Sequence, residues 1–163
     1  MHITFAPRGI LQIDDAKLMF KNFEGRGDKF NREGDRNFSI RIDDPAVADA
    51  LIEEGWNVKI KPGRDEDEGP FMRLPVKVKF TDFGPKVYLK SGRPEPILLD
   101  EESIAMLDQI EIECADLDIR PFDWEVNGRT GRTAYLQAGH ITQRIDRFAA
   151  RYASMSDDEK LDF

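Results

Sequence analysis

The sequence predicts a mainly β fold: a small barrel of five or six strands, with short α-helices inserted and a flexible acidic C-terminal tail. Three observations predict it. Short and medium runs of alternating apolar and polar residues fill most of the chain, and a period of two sends one parity into a core and the other outward. Helical periodicity is confined to brief stretches. One long alternating run changes parity midway, the mark of a β-bulge, and long bulged strands are how small sheets curl into barrels. A length of 163 residues suits one domain, and such a chain can bury a core. We place the domain at residues 1–153 and the tail at 154–163. A sandwich is the alternative packing of the same strands.

Each element follows from its residues. Gly9 to Phe23 is β-like: Leu11 and Ile13 alternate with Ile10 and Gln12, Leu18 and Phe20 follow, and Asp14-Asp15 marks a bend or bulge. A glycine-rich loop leads to a strand at Arg36 to Ile42, with Phe38, Ile40 and Ile42 on one side. Asp44 then caps a helix with Pro45 in its first position; Val47, Ala48, Leu51 and Ile52 form its stripe and Gly55 ends it. Trp56 to Lys61 is a strand with Trp56, Val58 and Ile60 inward. After an acidic loop, Phe71 to Phe80 sends Val76, Val78 and Phe80 in. Phe83-Gly84-Pro85 turns the chain into Lys86 to Lys90, and a proline-bearing loop follows. Asp100 caps a short helix through Leu107. Ile110 to Glu125 is the long strand, its bulge expected near Ala115-Asp116. Asn127-Gly128 is a tight hairpin turn, its partner strand is Thr133 to Thr142, and Ile145 to Ala153 reads as a short helix. A barrel of the oligonucleotide-binding kind suits this count of strands.

Composition narrows the function. At 40% hydrophobic and 34% charged, the chain reads as a soluble globular protein. No apolar run approaches the ~20 residues of a membrane span, and the N-terminus lacks the pattern of a secretory signal. Cys114 is the single cysteine, which leaves no disulfide within one chain and points to a reducing compartment. Of the net charge of −8, Asp65–Glu68 carries −4 and the last ten residues, with four acids and one lysine, carry −3. The remaining −1 leaves a nearly neutral body that can bear one positive face.

That face has candidates. From Lys21 to Ile42, glycines at 25, 27 and 34 are interleaved with Arg26, Lys29, Phe30 and Arg32, and Arg36 opens the strand. Glycine admits close backbone approach, cations pair with phosphate, and a loop aromatic can stack on a base. A charged, solvated hairpin loop is the other reading. Arg41, Lys59, Lys61, Lys77, Lys79, Lys86 and Lys90 all hold the outward parity of consecutive strands, with Tyr88 among them. Lysines with an interspersed ring have the composition of a single-strand platform; edge lysines that deter aggregation give the same pattern. Phe122, Trp124 and Tyr135 flank the Asn127-Gly128 turn with Arg120, Arg129 and Arg132 nearby. They form either a clamp over nucleic acid or packing at the barrel mouth.

Catalytic patterns are weaker. Glu111, Glu113, Asp116 and Asp118 could bind magnesium as in a nuclease, but alternation puts them on an exposed face. His2 and His140 lack metal-ligand spacing. There is no phosphate-binding loop motif and no nucleophile elbow, and Cys114 is expected to face the core. We therefore expect no enzyme activity, no cofactor and no resident metal.

Four segments carry a resemblance: Lys29–Phe38, Glu54–Lys59, Leu74–Val78 and Arg120–Gly128. They resemble proteins of bacteriophages and integrated prophages. The layout, with short echoes such as Phe30-Asn-Arg-Glu-Gly, resembles phage single-stranded DNA-binding, or helix-destabilising, proteins. That resemblance implies an oligonucleotide-binding barrel with an inserted helix and an acidic tail ending in an aromatic. It also implies sequence-tolerant binding of single strands in phage replication or recombination, in the bacterial host cytoplasm. Four acids make this tail a short version. On this reading Lys21, Arg26, Lys29, Arg32, Arg36, Arg41, Lys59, Lys77, Lys79, Lys86 and Arg129 neutralise phosphates, and Phe30, Tyr88 and Trp124 stack bases. Asp157, Asp158, Asp162 and Phe163 compete for the groove and recruit replication or recombination proteins. A homodimer is a further expected assembly. The alternative is a phage structural or protein-interaction module whose basic face meets an acidic protein.

Overall fold

Alternation builds ten strands in the computed structural model, which describes residues 1–145. They are β1 (His2–Phe5), β2 (Leu11–Asp14), β3 (Lys17–Asn22), β4 (Arg36–Ile42), β5 (Lys59–Lys61), β6 (Phe71–Val78), β7 (Lys86–Lys90), β8 (Ile97–Leu99), β9 (Ile112–Val126) and β10 (Arg129–Gln143). A single α-helix among the described residues, α1 (Pro45–Glu53), lies between β4 and β5. The helix expected over Ile145 to Ala153, beyond Ile145 itself, and the acidic tail at 154–163 lie outside the described residues.

The strand order is β1-β2-β9-β10-β6-β4-β3, with β5 on β6 and β7 between β10 and β8. What closes it is the expected bend at Asp14-Asp15. β2 pairs with β9, the Ala16 amide donates to the Ala115 carbonyl at 2.7 Å, and β3 then departs to pair with β4. The bent run of β2 into β3 thus joins the β9 side of the order to its β4 end. The ring is completed by a parallel pairing of β10 with β6, Ala134 opposite Val76 and Tyr135 opposite Lys77. This is the Greek-key closure of an oligonucleotide-binding barrel.

Inside the ring, Leu11, Ile40, Leu74, Val76, Ile119 and Ile141 are fully buried, and Phe23 stacks on Phe38 with centroids 5.1 Å apart. α1 begins as its sequence dictates: Asp44 Oδ1 accepts from the Ala46 amide at 2.9 Å, and Pro45 occupies the first turn. It buries Ala48 and Leu51 against the core. The second expected helix is a 3₁₀ turn, Ile104–Asp108, burying Ile104 and Leu107.

Several expectations need correction. β5 is only Lys59–Lys61; Trp56 is buried ahead of it, and Ile60 is 51% exposed because it sits on a short strand at the outer edge of β6. β1 and β8 go beyond the expected strands, being short and set beside the chain end and a proline-bearing loop. The bulges in the long hairpin fall elsewhere. Pairing passes from Thr142–Cys114 to Gln143–Ile112, which leaves Glu113 extra, and from Leu136–Ile119 to Ala138–Asp118, which leaves Gln137 extra. Ala115, Leu117 and Ile119 alternate inward without a break, so Cys114 takes the opposite parity and is only partly buried. Desolvation, with Asp116 next, raises its thiol pKa.

Candidate nucleic-acid interface

The outer face of β3, β4 and β6 carries a groove of about 960 Å³. Its floor is Asn37 and Ser39 from β4, Arg73, Pro75 and Lys77 from β6, and Tyr135 from β10. Phe20 stands at one end and Lys79 at the other, and the loop between β3 and β4 forms a wall through Arg26, Phe30 and Asn31.

Three asparagines hold that wall. Asn22 Oδ1 accepts from the Gly25 and Arg26 amides at 3.1 and 2.9 Å. Asn31 Nδ2 donates to the Arg26, Arg32 and Asp35 carbonyls. Asn37 Nδ2 donates to Asn31 Oδ1 at 2.9 Å. Gly25, at φ +76°, packs so close to Gly34 that a Cβ would lie 3.1 Å from the Gly34 carbonyl carbon; only glycine suits both demands. The loop is therefore fixed by hydrogen bonds, and it presents Phe30 92% exposed, with Lys29 5.7 Å from the ring centre.

Phe20 reaches the groove through a bulge. Pairing runs from Met19–Ser39 to Asn22–Asn37, so Phe20 and Lys21 together oppose one residue. Phe20 takes φ +51°, a strained left-handed conformation for a bulky side chain, and its ring turns out to 62% exposure. It meets Phe71 edge-on at 6.2 Å and lies 5.5 Å from the Arg73 guanidinium. Arg73 in turn donates to the buried Ser39 hydroxyl at 2.8 Å. At the far side Tyr135 is edge-on to Phe122 at 6.1 Å and 5.0 Å from the Arg120 guanidinium.

The residues named from the sequence divide into groups. Arg26, Phe30, Lys77 and Lys79 line the groove, and Lys29 flanks it beside Phe30. Lys59 lies in an adjoining depression with Lys61 and Arg64, sharing Phe20 and Arg73 with the groove. Lys21 and Arg36 line the groove as well, and they, like Arg41, also make contacts within the protein. Lys21 Nζ donates to the Leu107 and Ile110 carbonyls at 2.8 and 2.9 Å; burial lowers its pKa, opposed by Asp108. Arg36 donates to the Glu101 carbonyl at 3.1 Å and pairs with its carboxylate at 3.6 Å. Arg41 pairs with Asp43 at 2.8 Å. Arg32 is exposed on the loop outside the groove lining.

Lys86 and Tyr88 correct the idea of a single basic face. They lie together in a separate depression with Asp14, Asp116, Asp118 and His140. Outward parity means only outside, and around a closed barrel the outsides of β6 and β7 point different ways. Arg129 is exposed at the hairpin end. Trp124 is 39% exposed and its indole occupies the space a Cβ on Gly131 would need. Gly131→Ala should therefore displace the indole, read as a red shift and increased quenching of its emission by acrylamide, while Trp56, 3% exposed, is unaffected. Asp157, Asp158, Asp162 and Phe163 lie outside the described residues.

Phe20 and Arg73 join the groove although the sequence does not single them out for binding, and Tyr135, named there only in the alternative of a clamp or packing at the barrel mouth, joins them. Arg73 is legible there, since it shares the outward parity of Lys77 on β6. Tyr135 alternates with the inward Ala134 and Leu136. Phe20 is not, because the bulge reverses its parity. Among the described residues no group of three or more His, Cys, Asp or Glu is placed to hold a metal ion, and no helix is long and apolar enough to cross a membrane.

The fold has solved counterparts. The single-stranded DNA-binding protein of bacteriophage Enc34, in complex with ssDNA, is 15% identical, with 90% of this chain and 93% of that chain covered and a TM-score of 0.55. A second structure of that phage's protein is 14% identical, covers 90% of this chain and 87% of its own, and has a TM-score of 0.54. Its C-terminal truncation is also 14% identical, with coverages of 87% and 90% and a TM-score of 0.52. At this identity the likeness is one of fold. No curated protein matches the sequence. The family described as "Putative phage ssDNA-binding domain" matches residues 3–162. With its barrel, its groove and a match over nearly its whole length, the chain belongs to this family of phage single-stranded DNA-binding domains.

Proposed function

We propose that this protein binds single-stranded DNA, without catalysis, along the groove on β4 and β6. One observation carries the reading. The groove brings exposed rings (Phe20, Phe30) and Tyr135 together with Arg26, Arg73, Lys77 and Lys79, and among the described residues no carboxylate pairs with Arg73, Lys77 or Lys79. Rings give every base a stacking partner and cations follow the backbone, which makes the contact sequence-tolerant. The same family membership supports a role in phage replication or recombination in the host cytoplasm, with Asp157, Asp158, Asp162 and Phe163 recruiting partner proteins. Homodimerisation belongs to this reading too, supported by the edge strand β8, where Ile97 and Leu98 are about half exposed.

Electrophoretic titration on oligo-dT at two salt concentrations tests it. Four phosphates neutralised on a single strand give a slope near −0.7 per contact, so affinity should fall about 50-fold from roughly 50 to 200 mM salt. Lys77→Ala should flatten that slope by about 0.7. No retardation at low salt would end the proposal.

A further inference from the structure

Beyond the groove, the turn between β6 and β7 holds an aromatic ring out into solvent. Phe83 is 94% exposed. Its turn is not loose: Thr81 and Gly84 exchange backbone hydrogen bonds at 2.7 and 3.1 Å, and the Phe83 amide donates to Thr81 Oγ1 at 3.2 Å. A ring held out by a fixed turn gains nothing from packing. Beside it a small cleft is lined by Lys79, Phe83, Arg120 and Gln137.

This cleft continues the groove. Lys79 lines both, and Arg120 lies 5.0 Å from the ring of Tyr135 on the groove floor. Along β6 and just past its end the order is Phe20 and Arg73, then Lys77 with Tyr135, then Lys79; Arg120, opposite Tyr135 on β9, and Phe83 line the cleft that adjoins Lys79. From Arg73 to Lys79 the chain advances roughly 20 Å at ~3.3 Å per residue. At ~3.4 Å per stacked nucleotide this holds at most about six. A longer strand leaving at the Lys79 end meets the cleft of Lys79, Arg120 and the exposed Phe83 ring.

Resting on the single-strand reading above, we propose that Phe83 and Arg120 form an exit subsite that stacks and neutralises the next nucleotides of the same DNA strand. The chemistry is that of the groove, a π-face flanked by cations, which is why the occupant is DNA rather than an apolar protein segment.

Two oligomers test it: oligo-dT of about six nucleotides, filling the groove, and of about twelve, reaching past Lys79. Phe83→Ala should lower affinity for the longer strand by about five-fold or more and leave the shorter unchanged. Phe83→Trp should add emission that the longer strand quenches and the shorter does not. Since the ring is exposed, neither variant endangers folding. Equal affinity of wild type and Phe83→Ala for the longer strand, or no length-dependent quenching, overturns the exit subsite and leaves the groove intact. Failure of wild type to bind either length overturns the groove reading, and the subsite with it.

Discussion

Changing both Phe20 and Tyr135 to alanine is expected to weaken binding to oligo-dT by at least about 30-fold, measured by fluorescence anisotropy at fixed low salt. Stacking on one aromatic is worth about 1–3 kcal/mol per base. The two rings contact different neighbours, Phe71 and Arg73 for one, Phe122 and Arg120 for the other. Their effects should therefore nearly add. The fold should survive, because Phe20 lies 62% exposed and Tyr135 is on the outer parity of β10. Phe20→Gly sharpens the test. Glycine tolerates the φ of +51° that strains phenylalanine, so relief of that strain offsets the missing packing against Phe71 and Arg73. Binding should fall all the same. Strain kept at an exposed ring is what a ligand contact would require. Unchanged affinity in the double variant would mean that the bases do not stack here, and the cations alone would be left to explain binding.

Much of the architecture was legible because alternation and turn chemistry are local. Asp44-Pro45 starts α1, and Asn127-Gly128 turns β9 into β10, where the sequence places them. The family resemblance also holds, and three of the segments that carry it, Lys29–Phe38, Leu74–Val78 and Arg120–Gly128, contribute to the groove or to the β9–β10 hairpin. What failed was what depends on closure. Parity identified Lys77 and Lys86 as outward, but only the parallel pairing of β10 with both β6 and β7 decides that they open on different depressions. Bulges are likewise set by the partner strand's register. Glu113 and Gln137 are extra because of what they fail to oppose, and Phe20 turns outward for the same reason. Lys21 and Arg36 look like phosphate ligands by residue type. Both line the groove, yet they also donate to carbonyls near the 3₁₀ turn, some 65–89 residues away in sequence, and no local pattern announces such contacts.

Phe23→Ala should be the most destabilising single change, costing about 3–5 kcal/mol by chemical denaturation, a large part of the ~5–15 kcal/mol that holds a domain together. Phe23 has no exposed surface, stacks on Phe38 at 5.1 Å and gives its amide to the Asp108 carboxylate at 2.8 Å. The cavity would open where β3 ends and the groove wall begins. Stability and binding are therefore linked at this point, and the link can be measured. If only the folded chain binds the strand, oligo-dT at about 100 times its dissociation constant should return roughly 2.7 kcal/mol. Phe30→Ala supplies the contrast. Its ring is 92% exposed, so its removal should leave the unfolding free energy within about 0.5 kcal/mol of wild type while lowering affinity. Should Phe23→Ala unfold at the wild-type midpoint, the ring would not be packed as described. The wall that Asn22 and Phe23 anchor could then not be the fixed surface on which the binding reading depends.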